Sequence, residues 1–333
     1  MKNIFSELQY LLEEKEDAVL VTVIRDEGST PRGAGSQMLV TKKGLVCGTV
    51  GGGAVEKRSI DVAKKLIGTG KSMEQDFELI KNADEGIGME CGGNVSVYFQ
   101  YVDASDKRWE RLTEAVCGKI TSGEGGWFIQ SLDGSFPMLA DADGSPVYGN
   151  ATVIREDFTS VRCILVGKHF IMPLPVGERA IIFGAGHCAL ALAPLLNSVG
   201  FRVTVMDDRD NMVTKERYPM AEQLICGDFT KISDYIEISP DDYIVVMTSG
   251  HKHDYEVEEQ VLRTATSYVG VIGSRNKTAS VNAMLKKAGI TDDVLAGVHT
   301  PVGLPIKAET PEEIAVSIAA EMILVRAENR EKS

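Results

Sequence analysis

Residues 184–189, GAGHCA, constrain this chain more than any other six positions. They follow an apolar strand, RAIIFG (179–184), and open into a helix over about 187–199. The spacing is G-x-G-x-x-A, placed between strand and helix as a phosphate-binding turn requires. Gly184 permits the tight turn, Gly186 lets the backbone approach a pyrophosphate, and Ala189 allows close helix–strand packing. His187 stands at the start of the helix. Asp207, 23 residues after Gly184, ends the next strand, where an acid meets a ribose hydroxyl. Arg209, two positions on, is placed to meet a phosphate.

The segments around this turn alternate strand and helix. Strands are expected at RVTVMD (202–207), EQLIC (222–226), YIVVMT (243–248) and YVGVIG (268–273), with helices at about 230–237, 252–266 and 274–288. Such alternation implies right-handed crossovers and a parallel sheet. The C-terminal part, 177–333, therefore reads as a Rossmann-like, doubly wound α/β domain. Two further loops lie at the ligand-binding ends of its strands. TSGHKHD (248–254) brings His251 and His253, and GSRNK (273–277) brings Ser274, Arg275 and Lys277 to a helix start suited to an anion. The two histidines miss the HxHxDH spacing of dinuclear hydrolases, so a ligand-contacting polar loop is the better reading. The last helix is signalled by Thr310 as N-cap, Pro311 in the first turn and Glu313 closing a capping box.

The N-terminal part, 1–176, has a different rhythm. After an amphipathic helix come a Val/Ile-rich strand (18–26) and two short strands (38–41 and 45–50), then a helix from the glycine run 51–53 to about 67. An alternating strand covers 94–102, and the stretch 103–170 reads as a less well-defined β-rich part with a short helix near 108–116. Three glycine-rich segments carry candidate chemistry. GSTPRGAGSQ holds Arg32. GTVGGGAVE runs Gly51, Gly52 and Gly53 into a helix bearing Glu56. MECGG places Cys91 before Gly92 and Gly93. Adjacent glycines at a helix start let backbone N–H groups approach a phosphate or a planar ring. Cys91 has two readings, an accessible thiol whose thiolate is favoured by nearby N–H groups, or a small buried hydrophobe.

Composition excludes several classes. The 333 residues carry 35 basic and 48 acidic side chains, a net charge of −13, which repels a nucleic-acid backbone. Six cysteines are spread so that the nearest pair, Cys163 and Cys188, lies 25 positions apart. No CxxC ribbon, ferredoxin-type cluster or thioredoxin-like site fits that spacing. The opening residues read as an amphipathic helix rather than a signal peptide, and no apolar run approaches the roughly 18–20 residues of a membrane span. A cytoplasmic protein without membrane insertion is expected.

Taken together, GSTPRGAGSQMLV, GTVGGGAVE, GMECGG, FGAGHCALALAPL, MDDRDN with RYPMA, TSGHKHD, YVGVIGSRNK and VHTPVGLPIKAETPEEIAVSIAAEMI resemble the xanthine dehydrogenase accessory factor family, XdhC/CoxI. The resemblance spans nearly the whole chain in order, with 103–170 contributing little. It implies an N-terminal α+β XdhC/CoxI-type domain and a non-catalytic molybdenum-cofactor chaperone. Such a chaperone supports sulfuration of the cofactor, with a cysteine desulfurase supplying sulfur, and delivers it to a molybdenum hydroxylase of the xanthine dehydrogenase type. A homodimer is also implied. On this reading Cys91 approaches molybdenum as a soft thiolate ligand, the Gly51–Gly53 turn and the Arg32 loop supply donors, and the Rossmann crevice holds a nucleotide attached to molybdopterin. Two alternatives stand beside it, an NAD(P)-dependent oxidoreductase and a nucleotide-sensing module. The cysteine spacing argues against the chain being the iron–sulfur-bearing dehydrogenase itself.

Overall fold

The structure, a computed structural model, describes residues 3–28, 30, 32–78, 93–149 and 162–332, and of residues 251 and 275–277 the backbone alone. The chain divides into two compact units, Lys2–Val176 and Gly177–Ser333.

In the first unit, α1 (Ile4–Glu13) leads into β1 (Ala18–Glu27), β2 (Gln37–Thr41), β3 (Gly44–Gly48), α2 (Gly53–Leu66), β4 (Met73–Glu78) and β5 (Asn94–Val102). These strands form a sheet in the order β3-β2-β1-β5-β4, antiparallel throughout. β1 is apolar without alternation because both of its faces are covered. Leu20 and Ile24 point into one core, and Val19, Val21 and Val23 into another. α2 seals the second core through Val55 and Ala63. α3 (Lys107–Ser122) follows, then β6 (Gly126–Ser131), β7 (Met138–Asp141), β8 (Pro146–Tyr148), β9 (Ile164–Val166) and β10 (His169–Pro173). Those five strands make a second sheet, β8-β7-β6-β10-β9. α1 and α3 contribute to the core between the sheets, where Phe5 meets Phe128 edge-on at 5.0 Å. α3 is longer than its sequence suggests, since Asp106 caps its start and Gly123 ends it in the left-handed region.

The second unit is the alternating one. β11 (Arg179–Phe183), β12 (Arg202–Asp207), β13 (Gln223–Cys226), β14 (Tyr243–Val246) and β15 (Tyr268–Val271) form a wholly parallel sheet in the order β13-β12-β11-β14-β15. The strand order reverses between β11 and β14, and in open α/β sheets ligands bind outside the carboxyl ends at that point. α4 (His187–Ser198) and α8 (Pro311–Lys332) share a core on one face through Ala189, Leu192, Ala193, Ile318 and Met322. α5 (His251–Val261) closes the other face with Val257 and Val261. α6 (Arg275–Lys287) and α7 (Asp292–Ala296) complete the described helices.

One expected helix is corrected. Residues 230–237 form no α-helix. Phe229–Asp234 is a 3-10 segment broken at Lys231 (φ −142°, ψ 51°). Asp228 takes the Thr230 N–H at 2.8 Å and the Gln260 side chain takes that of Ile232 at 3.0 Å, so backbone donors are satisfied without an α-helical ladder. α5 also stops at Val261, five residues short of expectation. The capping box of α8 forms as read. The Glu313 N–H donates to the Thr310 hydroxyl at 3.2 Å, and the Glu313 carboxylate accepts the N–H groups of Glu309 and Thr310.

Candidate functional site

The carboxyl ends of the parallel strands gather the C-terminal candidates. Gly184 has φ +104°, and a Cβ there would lie 2.4 Å from the Met247 carbonyl oxygen, so the turn and its closeness to β14 both demand glycine. A Cβ on Gly186 would meet nothing within 4 Å, so open space lies before α4. Gly186 is the N-cap of α4 and provides no side-chain cap, and the first turn holds no acid. The same lack of a side-chain cap marks α2 and α5, which also start on glycines, whereas Asn3, Asp106 and Thr291 cap α1, α3 and α7. Uncapped N–H groups at a helix start present positive potential to an anion.

Asp207 is buried at the end of β12 and is already engaged. One carboxylate oxygen accepts the Ala185 N–H at 2.7 Å and an Arg209 guanidinium N–H at 2.9 Å. The other accepts the Arg209 backbone N–H at 3.1 Å and its Nε–H at 2.7 Å. Burial pushes this carboxyl upward, but Arg209 and the two backbone donors outweigh it and hold the pKa below the usual carboxylate range. The four acceptor positions of a carboxylate are thus filled from within the chain. A ribose hydroxyl would reach Asp207 only after displacing Arg209.

His253 lies on α5 and bridges two acids, with Nδ1 2.9 Å from Glu256 and Nε2 3.8 Å from Asp208, its ring 5.4 Å from that of Phe229. His251 and Arg275 are the first residues of α5 and α6, and their side chains lie outside the described set, as does that of Lys277. Ser274 is exposed just before α6. Among the described residues no group of three His, Cys, Asp or Glu side chains is arranged to hold a metal ion.

Sequence reasoning passed over Arg217. Its guanidinium donates to the Ala185 carbonyl and to the Met212 carbonyl, each at 3.2 Å. It therefore braces the glycine turn from a loop after β12, and no spacing rule links it to that turn.

In the N-terminal unit, register brings the glycine-rich segments to one end of the first sheet. Glu27 pairs with Asn94, Thr22 with Gln37 and Met38 with Gly48, so Arg32, the 51–53 turn and Gly93 all leave the sheet at that end. Gly51, Gly52 and Gly53 have φ of +122°, +72° and +59°, a run that only glycine adopts without strain. The Glu56 carboxylate accepts the Thr49 hydroxyl and the Gly52 N–H, while Thr49 takes the Gly51 N–H at 3.1 Å. Glu56 thereby holds the turn. Arg32 is exposed, and Gly93 is buried just before β5. Cys91 and Gly92 lie outside the described residues. Of the other thiols, burial raises those of Cys117, Cys163 (to about 11) and Cys188, the last with help from Glu312, which disfavours their thiolates.

A parallel sheet with a G-x-G-x-x-A turn at its switch point, joined to an antiparallel α+β unit, defines a two-unit α/β protein of the Rossmann class. Residues 11–78 match the model of the XdhC and CoxI family, and residues 180–322 match that of the XdhC Rossmann domain. The chain belongs to the XdhC and CoxI family. It is 30% identical to a Bacillus subtilis protein named as a probable xanthine dehydrogenase subunit, over 98% of each chain. It is 21% identical to the molybdenum cofactor insertion chaperone PaoD of Escherichia coli, over 95% of this chain and 86% of that protein. A crystal structure described as a xanthine dehydrogenase from Bacillus halodurans superposes with a TM-score of 0.80 at 26% identity, covering 98% of this chain and 96% of the other.

Proposed function

We propose that this protein is an accessory factor that binds the molybdenum cofactor as cargo, supports its sulfuration and delivers it to a molybdenum hydroxylase of the xanthine dehydrogenase type. The observation that carries the reading is membership of the XdhC and CoxI family, together with likeness to a molybdenum cofactor insertion chaperone over most of both chains. A cytosolic homodimer working with a cysteine desulfurase completes the proposal.

The site chemistry supports a division of labour. The positive-φ turn at Gly51–Gly53 is held by Thr49 and Glu56, and a Cβ on Gly52 would meet nothing within 4 Å, so a planar or phosphorylated group has room to approach. Arg32 and Gly93 leave the same end of the sheet, and Cys91 is assigned to the metal end of the cargo. The Gly184–Gly186 turn, with uncapped α4 behind it, is assigned to the phosphate-bearing nucleotide end. The names of two relatives point instead to the dehydrogenase itself. Six cysteines without close pairs do not supply the thiolate spacing of an iron–sulfur path, which favours the accessory role. An NAD(P) oxidoreductase reading asks Asp207 to accept a ribose hydroxyl, and its acceptor positions are taken.

The test is anaerobic binding of molybdenum cofactor to the purified protein, wild type against Cys91→Ala. Stoichiometric binding to wild type, weakened about tenfold or more by the substitution, is expected from loss of a thiolate ligand. Binding that ignores the substitution removes Cys91 from the site. Failure of the wild type to bind, with clear binding of NADH, would replace this reading by the oxidoreductase.

A further inference from the structure

The closing helix, α8, is apolar on two faces. Ala315, Ile318, Ala319 and Met322 are buried in the core it shares with α4. On the opposite face Val316 is 51% exposed, Ile323 38% and Leu324 47%. A helix that packs on one side only carries polar and charged residues on its outer face. The outer face of α8 instead repeats at heptad spacing. Glu313, Val316, Ala320, Ile323, Ala327 and Arg330 follow one another at alternating steps of three and four, the a/d seam of a coiled coil. None of the six is buried. The four central positions are apolar, and the ends carry opposite charges.

This series is complementary to itself when read backwards. With α8 of a second copy laid antiparallel, about a two-fold axis between Ala320 and Ile323, Val316 faces Ala327 of the second copy and Ala320 faces its Ile323. Each larger side chain then meets a small one, and Glu313 meets Arg330 at both ends. Parallel pairing would instead set Glu313 against Glu313, Arg330 against Arg330 and Ile323 against Ile323. The charged ends keep bonding capacity for a partner. One Glu313 carboxylate oxygen accepts both cap N–H groups, and Arg330 gives one terminal nitrogen to Glu178. α4 widens the seat, because its Leu190, Ala191, Pro194 and Leu195 line an apolar groove with Val316 beside the seam.

We infer that the outer face of α8 is an interaction surface for a second copy of this chain, with the two α8 helices antiparallel and Val316, Ala320, Ile323 and Ala327 forming the seam. The inference deepens the proposed homodimer and rests on it, since it names the face and the register that join the copies. Burial of the seam removes from water an apolar stripe that the isolated chain leaves exposed. The Glu313–Arg330 pairs at the two ends select the antiparallel orientation over the parallel one.

The experiment is sedimentation equilibrium of the full chain, for wild type, Ile323→Glu, Arg330→Glu and the double exchange Glu313→Arg with Arg330→Glu. Wild type is expected to be a dimer at micromolar concentration. Ile323→Glu places two carboxylates in the seam of each dimer and should raise the dissociation constant at least about a hundredfold. Its far-UV circular dichroism should match wild type, because the side chain lies outside the core. Arg330→Glu opposes two acids at each end and should weaken the dimer about tenfold, and the double exchange should return it to within about threefold of wild type. That rescue requires residue 313 of one copy to meet residue 330 of the other, which a merely structural role for either residue would not produce. A monomeric wild type overturns the inference together with the homodimer. A dimer that ignores Ile323→Glu overturns the inference alone, and so does a double exchange that fails to rescue Arg330→Glu. Cofactor binding is measured separately on wild type, so failure of the chaperone reading leaves the sedimentation result interpretable.

Discussion

At Asp207 a residue chosen by motif spacing for a ligand is committed to the chain. Its carboxylate joins the end of β12 to the glycine turn through Ala185 and fixes Arg209. Asp207→Asn removes the charge and leaves Arg209 without its partner. Because the Arg209 side chain is 44% exposed, the expected loss is about 2–3 kcal/mol, between the values for surface and buried pairs. The pH dependence follows from the lowered folded-state pKa. The unfolded carboxyl titrates near 3.8, so the stabilisation is present above that value and is lost as the pH falls through the lower folded value. The gap in melting temperature between wild type and Asp207→Asn should be constant near neutrality and narrow below about pH 4. A gap that widens on acidification would refute the assignment.

At the scale of elements, the two ends of the Rossmann unit's helical layer behave differently. α4 starts on glycine and keeps its donors free of a side-chain cap, while α8 is closed by Thr310 and Glu313. Thr310→Ala should cost about 1 kcal/mol, read as a lowered urea midpoint with unchanged slope, because a cap is lost and no cavity is made. Gly184→Ala should cost more, about 2 kcal/mol or above, because φ +104° is strained for alanine and its Cβ meets the Met247 carbonyl rather than a movable side chain. If the two variants melt alike, the close approach of the turn to β14 is not the reason for glycine at 184.

At the scale of the whole molecule, the acidic excess is the governing property. A net charge of −13 opposes a phosphate polymer, while a helix start without a side-chain cap can still draw one anionic group. Duplex DNA mixed with the protein at about 50 mM salt is expected to show no mobility shift. No helix of the described residues is long and apolar enough to cross a membrane. The proposed accessory role asks for a small ligand and a client protein, and the anaerobic cofactor titration tests which ligand.

Much of this was written in local sequence. The strands of the C-terminal unit, the glycine turn and the capping box of α8 follow from periodicity and residue type, because each is decided within a few neighbouring residues, and the alternation of strand and helix implies that the sheet is parallel. The glycine run at 51–53 was legible for the same reason, since three consecutive positive-φ positions leave little choice. Other features needed the fold. Residues 230–237 carry apolar spacing that resembles a helix, yet Asp228 and Gln260, the latter distant in sequence, satisfy the backbone differently. Asp207 has the right position for a ribose, and only the tertiary structure shows Arg209 and Ala185 filling its acceptors. Arg217 has no motif at all. It braces the glycine turn from a loop by holding a carbonyl more than thirty positions earlier, and such a contact is a property of three-dimensional neighbours that no linear pattern encodes.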